Sequence, residues 1–191
     1  KPQAGIEAVD LYNLIETSPA VKLLQAAAAP AGINVHMERL QQCPFISLPG
    51  DWETYLESVD KKQRHEIRRK MRRAAESDLP VQLYITSKKE NLDEDINSFF
   101  SLMAQDPEKD KFLTDPMRQQ FRKLMHWTFD EGCLQLAFLT IGDEKAAVYL
   151  NLDCMNRIWV YNSGLDSRFI DYSPGWVLLG YLLQWANEKK R

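Results

Sequence analysis

The chain predicts a mixed α+β fold in which a β-α-α-β-β-β-α core surrounds a largely antiparallel sheet, preceded by an N-terminal helical and strand segment and a basic helix. Three observations carry this. Val81 to Thr86 alternates like a half-buried strand and is followed by two amphipathic stretches of helical period. Three strand-like runs then follow one another with connections short enough for antiparallel hairpins. A Ser-Pro-Gly step finally opens an apolar helix.

Each element has a local reason. Glu7 to Ala29 reads as helix in two pieces broken near Ser18-Pro19, ending in the alanine run before Pro30 and Gly32. Ile33 to Leu48 reads as one or two strands. Asp51 is placed to cap a helix from Trp52 to Ser77, in which Leu56, Val59, Ile67, Met71 and Ala74 form one packing side while Arg64, Arg68, Lys70 and Arg72 face outward. Leu92 to Ala104 carries Ile96, Phe99, Phe100 and Met103 on one face, Gln105 to Asp115 reads as a polar loop, and Pro116 to Asp130 follows with Asp115 as its cap and Gly132 as its stop. Leu134 to Ile141, Ala146 to Asp153 and Arg157 to Ser163 are the three strands, joined through Gly142-Asp143-Glu144 and Met155-Asn156. Val177 to Leu183 is apolar nearly all round and reads as a core helix, and Trp127, Phe129, Trp176, Tyr181 and Trp185 read as core packing.

Composition excludes several classes. With 191 residues, 45% hydrophobic and 27% charged, the chain is neither disordered nor fibrous and has enough length to bury a core. No apolar run reaches the roughly 18 residues a membrane-crossing helix needs. Cys43, Cys133 and Cys154 are odd in number and far apart, and His36, His65 and His126 are isolated, so neither a disulfide framework nor a metal site is expected. A reducing, cytoplasmic location fits that cysteine usage, and Lys1 to Ile6 has no signal-peptide pattern.

Charge is concentrated. Between Asp60 and Glu76 eight Lys or Arg stand against three acids, a surplus of five, so the rest of the chain carries a net −8 within the total of −3. This ridge is either a solvated helix face or a surface that recognises phosphates, of a nucleotide-containing cofactor or of RNA. Duplex DNA is not expected at a pI near 5.7 without a helix-turn-helix or zinc-finger pattern.

The closing stretch, Arg157 to Arg191, reads as strand, short loop, Ser-Pro-Gly turn and helix. The first N–H groups of a helix lack internal partners and carry the positive end of its dipole, so such a junction can hold an anion; alternatively Ser173 simply caps a buried helix. Tyr149, Asn151 and Asp153 alternate onto one face of the middle strand, which either lines an acceptor cleft or sits under a helix.

Two segments carry a family resemblance. PFISLPGDWETYLESVDKKQRHEIRRKMRRA, residues 44 to 74, and Ser163-Gly164-x-Asp166 followed by Tyr172-Ser173-Pro174-Gly175 resemble the Gcn5-related N-acetyltransferase (GNAT) fold. Within it they resemble the branch of acetyltransferases involved in cellulose biosynthesis, itself similar to Fem-type aminoacyltransferases. The likeness covers residues 43–191 as a GNAT-like acyltransferase domain and leaves 1–42 as a separate N-terminal segment. It implies transfer of an acyl group from acetyl-CoA or another acyl-CoA to an amine or hydroxyl acceptor, a small molecule or glycan of polysaccharide or cell-envelope metabolism. It implies cofactor contacts at Tyr161, Asn162, Ser163, Ser173, Gly175 and Trp176, with strand amides polarising the thioester carbonyl and helix amides holding the pyrophosphate. Asp166 or Asp171 would serve as base and Tyr172 as acid. Family members continue past the helix that ends at Lys189-Lys190-Arg191 into a further strand, so the sequence reads as part of a longer enzyme or as a variant without the final strand. Two alternatives stand beside this: a Fem-like enzyme drawing its aminoacyl group from tRNA through the Lys61 to Arg73 ridge, or a non-catalytic module of the same fold.

Overall fold

The structure, a computed structural model, describes residues 7–12 and 14–189. It divides into two compact units, Lys1–Ser47 and Leu48–Arg191. In the first unit α1 (Pro19–Ala28) is capped by Ser18, whose Oγ accepts the Ala20 N–H at 3.3 Å, and it closes through a short 3-10 turn onto Gly32 at φ 67°. The helix expected before Ser18 and the strands expected between Ile33 and Leu48 are absent among the described residues. Leu11, Tyr12, Ile33, Val35 and Leu40 are all exposed, so neither stretch has an apolar surface or a partner strand to offset the entropy of ordering.

The second unit begins with two helices where the periodicity suggests one. Asp51 accepts the Thr54 N–H at 2.8 Å and starts α2 (Trp52–Ser58). Asp60 accepts from the Lys62 and Gln63 amides at 2.9 and 3.0 Å and starts α3 (Lys61–Ala75). The second cap breaks the helix, with Val59 extended at φ −89°, ψ 154°. β1 (Val81–Ile85) leads to α4 (Lys89–Met103). The polar stretch expected as loop contains α5 (Pro107–Phe112), because Asp106 caps the Glu108 and Lys109 amides at 2.9 and 3.3 Å and Pro107 sits at its first position. In α6 (Asp115–Asp130) the cap position falls to Thr114, with no side-chain bond, and Asp115 is the first helical residue.

β2 (Leu134–Ile141), β3 (Glu144–Cys154) and β4 (Arg157–Leu165) follow, and all four strands pair antiparallel in the order β1-β2-β3-β4. Both hairpins are two-residue turns. Met155 and Asn156 each adopt φ 55°, the left-handed pair that matches strand twist in the tightest hairpins. β4 is an edge strand, and a 3-10 segment, Ser167–Tyr172, carries the chain to α7 (Pro174–Glu188).

The sheet buries both faces differently. On one, Leu136, Phe138, Val148 and Leu150 pack against Ile96, Phe99 and Phe100 of α4 and Phe121 and Met125 of α6. Gly164 of β4 lies so close to the end of α4 that a Cβ there would stand 2.5 Å from Leu102 C and Met103 N, which admits only glycine. On the other face Ala137, Leu139, Ile141 and Ala147 meet Val177, Leu178 and Leu182 of α7. Each of the larger of these side chains, Val, Leu, Ile, Phe or Met, contributes about 1.5 to 3 kcal/mol on burial. α7 is therefore a core helix on its inner side, but Trp176 is 58% exposed and Trp127 63%, against the expectation that both are core aromatics.

Candidate functional site

The site is built where α7 begins. Ser173 sits in the left-handed region at φ 52°, ψ 52°, a conformation that costs a non-glycine residue about 1 kcal/mol or more and recurs at functional sites. Its side chain does not cap α7. Instead its Oγ accepts from Lys70 Nζ at 3.2 Å, and its own N–H donates to the Ile170 carbonyl at 2.9 Å. The first amide that closes back into the helix is Val177, on Ser173 O at 3.1 Å. Pro174 has no N–H, so the Gly175 and Trp176 N–H groups are left without a partner among the described residues.

Lys70 joins this helix start from α3. Its side chain is only 16% exposed, its ammonium lies 5.2 Å from the centre of the Trp176 ring, and Glu66 stands 3.7 Å away. The expectation that Lys70 faces outward with the rest of the ridge is thus corrected: at its position on the helix it turns toward α7. Glu66 is chiefly engaged elsewhere. Arg69 donates to it twice at 2.8 Å and holds its carboxyl down at about 2, so it remains an anion that does not take Lys70's charge alone.

A cleft of about 410 Å³ opens here, lined by Tyr149, Leu165, Ile170 and Leu179 and by Ser173 to Trp176. Its walls are mostly apolar and its polar groups converge at the positive end of a 15-residue helix. Burial raises the Tyr149 phenol above its ordinary value, so it stays protonated. A second cleft of about 430 Å³ lies between β1 and the far end of α7 and includes Glu188. That end carries the negative pole of the helix and suits an anion poorly.

The edge of β4 runs into the first cleft. Ser163 donates its N–H to Asn162 Oδ1 at 2.8 Å, and its carbonyl accepts from Lys109 Nζ at 2.5 Å. The Asp166 N–H donates to the Ala146 carbonyl at 2.9 Å, so by the alternation of an antiparallel pair Ser163, opposite Tyr149, is a non-hydrogen-bonded position whose peptide groups point away from β3. By the two-residue repeat, Leu165 also turns its peptide groups outward, beside the cleft it lines.

The remaining residues singled out in the sequence are distributed around this point. Asp166 is 6% exposed and accepts from the Arg168 N–H at 2.9 Å, Nε at 3.0 Å and Nη2 at 2.8 Å, which hold its carboxyl below the usual range. Asp171 is exposed in the same connection, and Tyr172 is half-buried against the α7 side of the core with its ring 6.4 Å from Phe169. Tyr161 is apart from the cleft, with its ring against Phe121 at 5.7 Å. Asn151 is buried and donates to Gln135 at 2.7 Å, while Gln135 Nε2 and Asn151 Oδ1 have no partner among the described residues; the bulge at Leu150/Asn151 places its extra residue, Tyr161, in β4, so the alternation of β3 is intact and Asn151 shares a face with Tyr149. Sequence reading missed Lys70, Lys109, Ile170 and Leu179. The helical angle between Lys70 and the inward Met71 and Ala74 is the signal that could have found the first; nothing local points to the other three.

No helix among the described residues is long and apolar enough to cross a membrane. In comparison with protein families, residues 61–191 match a model described as an acetyltransferase (GNAT) domain. No curated protein matches the chain.

Proposed function

We infer the reaction from membership: the chain belongs to the acetyltransferase (GNAT) family, and we propose that it transfers an acyl group from acetyl-CoA or another acyl-CoA to an amine or hydroxyl acceptor. The carrying observation is the pair of unpartnered amides, Gly175 and Trp176, at the start of a 15-residue helix beside the Lys70 ammonium. A pyrophosphate needs several donors and positive potential in one place, and these three groups supply both. Access fits too, since a Cβ on Gly175 would meet only Leu165 Cδ2, at 3.8 Å. The outward peptide groups of Ser163 and Leu165 are the strand donors and acceptors that an extended amide arm would pair with.

Of the proton-transfer candidates, Asp166 is engaged as a turn cap and as the counter-ion of Arg168, which holds its carboxyl below the usual range and makes it a poor base. Asp171, exposed in the same connection, is the carboxylate we assign to deprotonating the acceptor, with Tyr172 as the acid for the departing thiolate. The likeness to the cellulose-biosynthesis branch supports a glycan or small amine of the cell envelope as acceptor, in a domain spanning 43–191.

Thermal unfolding tests the donor directly. A ligand that binds only the folded state at a hundredfold excess over its Kd adds about 2.7 kcal/mol of stability. Acetyl-CoA should therefore raise the midpoint of the wild-type chain, whereas Gly175→Ala, which fills the approach to the two amides, should unfold at the same or a slightly higher temperature alone and lose most of the ligand-dependent rise. An unchanged midpoint for the wild type at saturating acyl-CoA would overturn the reading. One observation favours a second reading: Lys61, Lys62, Arg72 and Arg73 make no ion pair among the described residues, which leaves a free cationic crest on α3. Salt-sensitive tRNA binding without acyl-CoA binding would select the Fem-like chemistry.

A further inference from the structure

We propose that Lys109 and Asn162 form a clasp over Ser163 that an extended amide arm of the donor must displace, so that the clasp weakens the binding of arm-bearing donors and leaves that of arm-less nucleotides unchanged. The proposal rests on the acyl-thioester reading above. An edge strand exposes N–H and C=O groups that invite pairing, and proteins commonly blunt such edges with charged side chains. Here a single residue has both outward groups covered, from two directions. The Ser163 N–H donates to Asn162 Oδ1 at 2.8 Å, and Lys109 Nζ donates to the Ser163 carbonyl at 2.5 Å and lies 3.3 Å from its Oγ.

The two arms differ in origin. Asn162 acts on its own neighbour, while Lys109 reaches 54 positions along the chain from α5. That short helix is held at both ends, by the Asp106 cap and by Arg118 Nε, which donates to the Leu113 carbonyl at 3.0 Å. Lys109 is the half-buried member of its turn, between the exposed Glu108 and Asp110. The strand cannot move away from the clasp, because Gly164 is pressed against the backbone at the end of α4. Opening is therefore a matter of two side chains rotating.

The cost to an arm-bearing donor follows from hydrogen-bond exchange. An arm with an amide carbonyl and an amide N–H in extended form can take over both Ser163 groups as Asn162 and Lys109 leave, so the bonds broken are replaced. A phosphate-bearing nucleotide without such an arm reaches the α7 amides and gains nothing from opening the clasp.

Calorimetric titration of the full chain with CoA and with ADP, which shares the pyrophosphate but lacks the arm, tests this. Asn162→Ala and Lys109→Met should each raise CoA affinity about three- to tenfold, the scale of one hydrogen bond no longer broken, and leave ADP affinity within about twofold. Lys109→Gln, which keeps a donor of similar reach, should fall between. Thermal unfolding of each variant alone, close to that of the wild type, shows that the comparison is made on folded protein. Equal changes for CoA and ADP, or none for CoA, would overturn the clasp while leaving the anion site in place. Binding of neither ligand to the wild type would remove the acyl-thioester reading and the clasp with it.

Discussion

The two faces of the sheet handle polar groups in opposite ways. On the α4 side Asp95, 2% exposed, accepts from Tyr84 Oη at 2.8 Å, Thr86 Oγ1 at 2.6 Å and Lys145 Nζ at 2.5 Å, and Lys145 also reaches Ser98 at 3.1 Å. Every strong donor around that carboxylate has found a partner inside the protein. At the α7 side the helix opens with two amides unpartnered, a serine held in a left-handed conformation and a tryptophan in solvent. A polar cluster that is complete within the chain stabilises it, whereas one left incomplete beside a cleft is where a ligand supplies the missing partners.

Substitutions separate these roles. Asp95→Ala should have the largest effect, because it strands two hydroxyls and a largely buried ammonium; a loss of about 3 kcal/mol in chemical denaturation is expected, with no change in affinity for CoA in the fraction that remains folded. A loss under about 1 kcal/mol would mean that the closed face does not depend on its network. On the open face Lys70→Met should do the reverse. Its stability change should stay within about 1 kcal/mol, since it removes one hydrogen bond to Ser173, but CoA affinity should fall roughly tenfold with the loss of the ammonium beside the amides. Equal affinity in wild type and variant would remove Lys70 from the site.

The smallest effect belongs to Asp166. Its folded pKa lies below the ordinary 3.8, chiefly because Arg168 donates to it, so the stability it contributes is present above that value and is lost as pH falls through the lowered one. Arg168 is 65% exposed, which limits the contribution to below about 1 kcal/mol. Asp166→Asn should therefore lower stability slightly and evenly at neutral pH, with the gap to wild type closing as pH falls through and below the ordinary carboxylate range in an acid titration followed by circular dichroism. A gap that widens toward acid would reverse the assigned sign.

Much of this fold was legible because its elements carry their own local signals. The alternation in Val81 to Thr86, the hairpin-length gaps at Gly142 and Met155, and the Pro174-Gly175 helix start each needed only neighbouring residues to be read. Reading failed where a partner decides the outcome. Ile33 to Leu48 is apolar enough for a strand but finds no partner strand among the described residues, and Trp176 sits at a core spacing yet lines the cleft. Asp60 ended a helix that periodicity alone would continue, because its side chain caps two amides. Within the site, Gly175 and Trp176 could be found from the helix start, but the Lys70 and Lys109 contacts span 103 and 54 positions and exist only once the chain has folded.

The central claim is that the Gly175 and Trp176 amides hold the pyrophosphate of the acyl donor. Titration of nitrogen-15-labelled protein with CoA, followed through its amide resonances, tests it most directly. The Gly175 and Trp176 signals should move with the same saturation curve, and to a greater extent than those of the α4 and α6 helices. Saturable binding that leaves both signals in place would contradict the account.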